Sequence, residues 1–284
     1  MKFCIILAFM FLVAGLSLTK SQTNSQKEIE DYPENDDKGG VSWFDTGSKR
    51  IALEVSKAHA HPHQVSLQTF RNGNWSHYCG GSIVGRDKIL TSAYCAERHH
   101  LYREEWHQDR IVAGAHNLSL VDENEPSRQF GSIKKVTIHP AYDGNSNLDY
   151  DYAVIHTDTP WEFNKYVYSI PLPTETDVAG GICMTTGWGD ESPDELQEFD
   201  LTVVNRNNCQ ELYGHHLVSD HMICAHRGLT PARAEHNCYV DAGGPLVCKD
   251  VLAGVSSWGK MPCEQDSPGV FSDVAAASKW IKST

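Results

Sequence analysis

The sequence predicts an all-β chain of barrel or sandwich type, exported and cross-linked by disulfides. Two observations carry this. From Ile51 to Ile281, short apolar runs alternate with turn residues, the spacing expected of many short strands. The chain has nine cysteines, and setting aside Cys4 in the N-terminal apolar stretch leaves an even set of eight. In an exported chain such a set reads as a disulfide framework. The 284 residues are enough for one or two domains with a sizeable core.

The segments follow in order. Residues 1–20 read as a signal peptide: Lys2 is basic, Ile5 to Leu18 is apolar, and small residues lie around Ser17 to Ser21. The apolar run falls short of the roughly 20 residues a membrane span needs, so the expectation is a secreted, extracellular chain with no membrane partner. Residues 21–50 form an acidic, propeptide-like segment, poor in apolar residues from Ser21 to Ser48. Residues 51–284 form the folded domain. Strands are expected over Val65–Leu67, Gly81–Val84, Ile89–Thr91, Ile111–Ala113, Val136–Ile138, Tyr152–Ile155, Leu201–Val204, Leu246–Val247 and Val251–Ser256. Asp273 to Ile281 reads as a short terminal helix with Asp273 as its N-cap.

Several chemistries are argued against. A formal net charge of -13 is wrong for nucleic acid or anionic lipid. No Cys-x-x-Cys pair is present, so a zinc ribbon is not expected. His59, His61 and His63 alternate, but Pro62 breaks the strand, and exposed, solvent-facing side chains are the better reading than a metal site. His99, His100 and His107 fall in a stretch rich in Arg and Glu that reads as exposed loop. The acidic run Asp143 to Asp151 lacks an EF-hand pattern. No metal and no cofactor are expected. Asn74-Trp75-Ser76 and Asn117-Leu118-Ser119 are glycosylation sequons. Eight cysteines by themselves allow about 105 pairings.

The segment Cys238-Tyr239-Val240-Asp241-Ala242-Gly243-Gly244-Pro245 resembles the nucleophile loop of the trypsin-like serine peptidases, Cys-x-Gly-Asp-Ser-Gly-Gly-Pro. Other landmarks recur in that family's order: Gln64-Val65-Ser66-Leu67, His77-Tyr78-Cys79-Gly80-Gly81-Ser82, Leu90-Thr91-Ser92-Ala93-Tyr94-Cys95, Asp151-Tyr152-Ala153-Val154, Thr186-Gly187-Trp188-Gly189, Met222-Ile223-Cys224-Ala225, Ser257-Trp258-Gly259 and Pro268-Gly269-Val270-Phe271. The resemblance spans about four-fifths of the chain. It implies two six-stranded antiparallel β-barrels with a cleft between them. It also implies the pairings Cys79–Cys95, Cys183–Cys248, Cys209–Cys224 and Cys238–Cys263.

By the same resemblance, Ala242 stands where the family has its serine nucleophile, Tyr94 where it has histidine, and Val240 where it has the oxyanion-hole glycine; Asp151 matches the aspartate. A methyl group cannot attack a carbonyl, and a phenol with an ordinary pKa of about 10 does not replace an imidazole base. β-Branched Val240 disfavours backbone conformations open to glycine. The expectation is therefore that the chain is not an enzyme. Asp151 is read as a structural carboxylate, with the Tyr94 and Ser257 hydroxyls as its donors. His236 lies at the base of the specificity pocket, six positions before Ala242, with Ser257, Trp258 and Gly259 on the rim. Arg50-Ile51 matches the activation cut, but Ala52-Leu53-Glu54 replaces the family's Val-Gly-Gly, which leaves Asp241 to find another partner.

Asn208-Cys209-Gln210-Glu211-Leu212-Tyr213 and Asp220-His221-Met222-Ile223-Cys224-Ala225 resemble the mite group 3 allergen branch, within which lie the scabies mite inactivated protease paralogues. The reading is a secreted serine peptidase homologue acting by protein binding, with interference in a host defence cascade such as complement implied. The alternatives are a cofactor or decoy in an endogenous proteolytic cascade, a residual endopeptidase, or a scaffold acting through outer loops such as Glu97 to Arg110.

Overall fold

The short apolar runs pair as two antiparallel sheets in the computed structural model, which describes residues 54–101, 109–144, 147–174, 177–189, 194–227, 241–259 and 267–284. The first sheet comprises β2 (Gln64–Arg71), β3 (Asn74–Gly85), β4 (Lys88–Thr91), β5 (Asp109–Ala113), β6 (Gln129–Gly131), β7 (Ile133–Ile138) and β8 (Ala153–Thr157). Their order is β6-β5-β2-β3-β4-β8-β7. The second comprises β9 (Ile182–Gly187), β10 (Gln197–Val204), β11 (Met222–His226), β12 (Pro245–Cys248), β13 (Val251–Trp258) and β14 (Gly269–Asp273), with the two-residue β1 (Glu54–Val55) laid against β10.

Both sheets are barrel-like, and they close differently. In the second, β10 pairs with β9 as well as β11, so six strands return on themselves and no long edge is left open. The first refines the expected six-stranded barrel into an open, seven-stranded sheet whose ends, β6 and β7, are consecutive in the chain and separated only by Ser132. β6 pairs with β5 and β7 with β8, so one bent segment serves both ends.

Local sequence sets the turns. Asn72 and Gly73 both have positive φ (52° and 85°) between the paired Arg71 and Asn74, the two-residue hairpin turn that favours Asn-Gly. Lys249 and Asp250 turn β12 into β13 in the same way (φ 52° and 62°) without a glycine. Inward-facing side chains fill each barrel: Val65, Leu67, Ile83, Ile89, Ile111 and Ile155 in the first, and Leu201, Ile223, Leu246 and Phe271 around the Cys183–Cys248 bridge in the second.

The α-helices among the described residues are α1 (Ala93–Leu101), α2 (Arg206–Tyr213) and α3 (Val274–Ser283). The terminal helix forms as expected: Asp273 caps it by accepting from the Ala275 amide at 3.0 Å. Its buried face, Val274, Ala277 and Ile281, packs with Leu90, Tyr152 and Val154 of the first barrel and Leu252 and Val255 of the second, so α3 ties the two together. The segment Glu97 to Leu101, expected as outer loop, belongs to α1, and 102–108 lies outside the described residues.

Three of the four expected disulfides are present, Cys79–Cys95, Cys183–Cys248 and Cys209–Cys224. Cys238 and Cys263 lie outside the described residues, as do the signal peptide, the propeptide-like segment, Arg50 and Ile51. The turn after β5 is held by Arg128. Its guanidinium donates to Asp122 Oδ1 (2.7 Å), Glu125 Oε2 (2.7 Å) and the Asn117 carbonyl (2.5 Å), and the side chain is almost wholly buried. Buried charge of this kind persists only where it is paired and hydrogen-bonded.

Candidate functional site

The cleft is assembled by β3. Cys79 in that strand bridges to Cys95 in α1, and the next residue, Gly80, donates its amide to the Ala242 carbonyl at 2.9 Å. Thr91 Oγ1 donates to the Gly80 carbonyl at 2.8 Å. Residues 94 and 242, distant in sequence, are thereby fixed to one patch of one strand. Gly243 has φ +77°, and a Cβ there would stand 2.1 Å from Thr91 Oγ1, so only glycine lets the loop seat this closely.

Asp151 precedes β8 and is fully buried. Its Oδ1 accepts the Tyr94 amide at 2.9 Å and its Oδ2 accepts the Ser257 hydroxyl at 2.5 Å. Ser257 reaches it because β13 shifts register against β14 between Ser256 and Trp258, and an irregularity of this kind re-aims a side chain. Burial pushes the Asp151 carboxyl up to about 6, against the pull of the Ser257 hydroxyl and the Tyr94 and Ala93 amides. The Ser257 donor is as expected, whereas the Tyr94 donor is corrected. Its amide, at the start of α1, occupies Oδ1, while the residue is 46% exposed. Trp258 on the rim packs edge-on against Tyr213 of α2, with centroids 5.1 Å apart, and Gly259 is exposed. His236 and Val240 lie outside the described residues.

A second buried carboxylate, Asp241, sits beside Ala242. Its Oδ1 accepts the Trp188 amide (3.0 Å) and the Gly189 amide (2.5 Å) and lies 3.1 Å from His77 Nε2. His77 Nδ1 is in turn 2.8 Å from Ser66 Oγ. The other carboxylate oxygen, Oδ2, is buried without a hydrogen-bond partner among the described residues. This Ser66–His77–Asp241 chain is not among the sequence-based expectations. Both strand segments were recognisable, but the irregular register between β2 and β3 that places Ser66 near His77 has no signature in the sequence.

The three alternating histidines do not share a solvent face, which corrects their expected exposure. His59 has positive φ and packs edge-on against Tyr166, His61 pairs with Glu198 at 2.7 Å, and His63 is buried. The turn through Pro62 sends the three in different directions. The acidic run before Asp151 is likewise engaged: Asp149 accepts from Ser219 Oγ at 2.6 Å and lies 3.3 Å from His221.

A sequence profile of the family described as Trypsin matches residues 51–281. Trypsin-10 of Gadus morhua is 34% identical over 231 residues, covering 80% of this chain and 87% of that protein. Trypsin-2 of Salmo salar is 33% identical, covering 80% and 91%. Putative trypsin-6 of Homo sapiens is 32% identical, covering 85% and 91%. These matches correct the expectation that the chain is not an enzyme. Relatives over four-fifths of its length carry the name of a peptidase, and the geometry above demonstrates no loss of activity. Tyr94 and Ala242 are substitutions at two positions and do not remove the chain from a family of enzymes.

Proposed function

The chain belongs to the trypsin family, and from that premise we propose that it acts by binding other proteins at the cleft between its barrels. The observation that carries this reading is Tyr94. Its amide is fixed on buried Asp151 while the residue stands half-exposed at the cleft, and a positioned aromatic is the kind of residue that dominates protein interfaces. Trp258 and Gly259 extend the surface along β13, where an extended peptide could add as a strand. The partners proposed are secreted proteins, with components of a host defence cascade such as complement first among them. The motifs around α2 and β11 that resemble the mite group 3 branch support that choice. A cofactor or decoy role in an endogenous cascade uses the same surface.

Secretion follows from the signal-like N-terminus. It agrees with the disulfides. Asn74, exposed beside the β2–β3 turn, is the sequon proposed to carry a glycan. Asn117 is half-buried, with its Oδ1 accepting from Ser119.

The second reading, peptide-bond hydrolysis, is favoured by the names of the relatives. Hydrolysis here would need a nucleophile other than the side chain of residue 242, such as water. The test is to measure binding and turnover of a broad peptide library by the unaltered protein, beside a Tyr94→His, Val240→Gly, Ala242→Ser variant. Turnover by the unaltered protein selects the second reading. Saturable binding by the unaltered protein, with cleavage only by the variant, supports the first. If a folded variant neither binds nor cleaves, the function lies away from the cleft.

A further inference from the structure

The second barrel carries a concavity on its outer face, away from the Asp151 and Asp241 arrangement. Its floor is a row of outward side chains set by the strand register: Asp200 of β10 opposite Met184 of β9, and Met184 opposite Val247 of β12. Alternation puts Cys183, Leu201 and Leu246 into the barrel core and leaves Asp200 exposed and Met184 and Val247 half-buried on the other face. The run-in to β2 forms one wall through His61 and His63, and Tyr168 is fastened to it by donating its amide to the Pro62 carbonyl at 2.9 Å. The β12–β13 turn forms the opposite wall. The volume of this open concavity is about 540 Å³, within the range of roughly 300–1,000 Å³ of ordinary ligand sites.

Two features give this face a direction of charge and polarity. Ile182 is 70% exposed and Tyr168 54% exposed, although both border the concavity. Asp200 and Asp250 have no hydrogen-bond or ion-pair partner among the described residues, which sets two carboxylates against the lysine of the lining, Lys249. The turn that carries Lys249 and Asp250 holds both in the left-handed region, a conformation costly for residues other than glycine, asparagine and aspartate. A second concavity continues beyond it. Lys249 lines both, and the Cys183–Cys248 bridge joins one lining to the other.

We propose that this outer face is a docking surface for an extended segment of another protein in which every second residue faces the surface and those residues are in turn aliphatic and lysine or arginine. The aliphatic groups would cover Ile182 and Tyr168, and the cations would meet Asp200 and Asp250. The surface is separate from the cleft, so it can hold a partner whether or not the cleft is occupied.

The probe is a fluorescent, end-blocked heptapeptide with leucine and lysine taking turns at every second position and serine between them, titrated by anisotropy against the full chain, with the same peptide carrying glutamate in place of lysine as control. Expected is saturable binding of the lysine peptide only, with amide-exchange protection over β9 and the β12–β13 turn. Asp200→Lys with Asp250→Lys should weaken it about ten-fold or more, and Ile182→Glu should do so independently. All three side chains are exposed; should the lysine pair fail to fold, Asp200→Asn with Asp250→Asn must still weaken binding. Unchanged affinity in the folded variants, equal binding of the glutamate peptide, or protection elsewhere would overturn the proposal. So would a dimer, seen by sedimentation, that Ile182→Glu dissolves and the lysine peptide does not displace, since the face would then belong to a second copy of the chain.

Discussion

Asp151 and Asp241 are both buried carboxylates at the cleft, one from each barrel, and they are held in different ways. Asp151 is met by an amide and a hydroxyl, and burial raises its carboxyl to about 6. Asp241 is met by two amides and an imidazole that is itself backed by Ser66. Asp151 rests on the backbone and one hydroxyl, whereas Asp241 rests on the backbone and a ring nitrogen that is itself held in place. The first arrangement can release its charge by taking a proton. The second depends on a specific partner.

That difference predicts the largest effect. His77→Leu leaves Asp241 buried with only amide donors, and should destabilise the protein by about 3 kcal/mol in urea unfolding, the cost of leaving a buried carboxylate short of a donor. Adding Asp241→Asn to that variant should restore part of the loss, since the unpaired charge is then gone. If His77→Leu costs no more than an ordinary hydrogen bond, the two carboxylates are not distinct in kind.

Next is the pH dependence. Because the folded pKa of Asp151 is raised, the folded state binds more protons than the unfolded state between about pH 4 and 6, and stability falls as pH rises through that window. His63 works in the opposite sense. Burial, with the nearby His61, lowers it to about 3, so the unfolded state binds the extra proton from about pH 3 to 6.5, and stability rises with pH. In the unaltered protein the two slopes oppose each other between pH 4 and 6. Asp151→Asn should therefore uncover a rise, and His63→Gln a fall, each of about 3 kcal/mol over that window. Urea titrations at stepped pH would show both, and equal slopes in the two variants would refute the assignment.

A smaller effect is expected at Ser257. Ser257→Ala removes one donor, should cost about 1–2 kcal/mol, and should move the Asp151 titration above 6, since the lost hydrogen bond favoured the charged form. The smallest sharpens the contrast with a carboxylate outside the cleft: Asp273→Ala removes only a helix cap and should cost about 1 kcal/mol.

The strands, the terminal helix with its Asp273 cap, and the positions of Tyr94, Asp151 and Ala242 were readable in the sequence, because each is written in local periodicity or in a contiguous motif. What was not readable depends on register. Whether Tyr94 meets Asp151 by its hydroxyl or its amide is decided by where α1 begins, and Ser66 reaches His77 only through an irregularity between β2 and β3. The histidines around Pro62 depart from the expected exposure for a related reason: a turn can bury one residue of an alternating set and expose another. The expectation that the chain is not an enzyme rests on three positions, Tyr94, Val240 and Ala242, while the wider similarity over residues 51–281 sets the family.

Arg128 has a consequence beyond packing. Asp122, Glu125 and the Asn117 carbonyl converge on a cation that the chain itself supplies. An oxygen cluster of this composition in a surface turn could otherwise call for a dissolved counterion, and its order would then follow the ionic content of the surroundings. With the guanidinium built in, the turn should keep its shape in the presence of chelators and across fluids of differing mineral content.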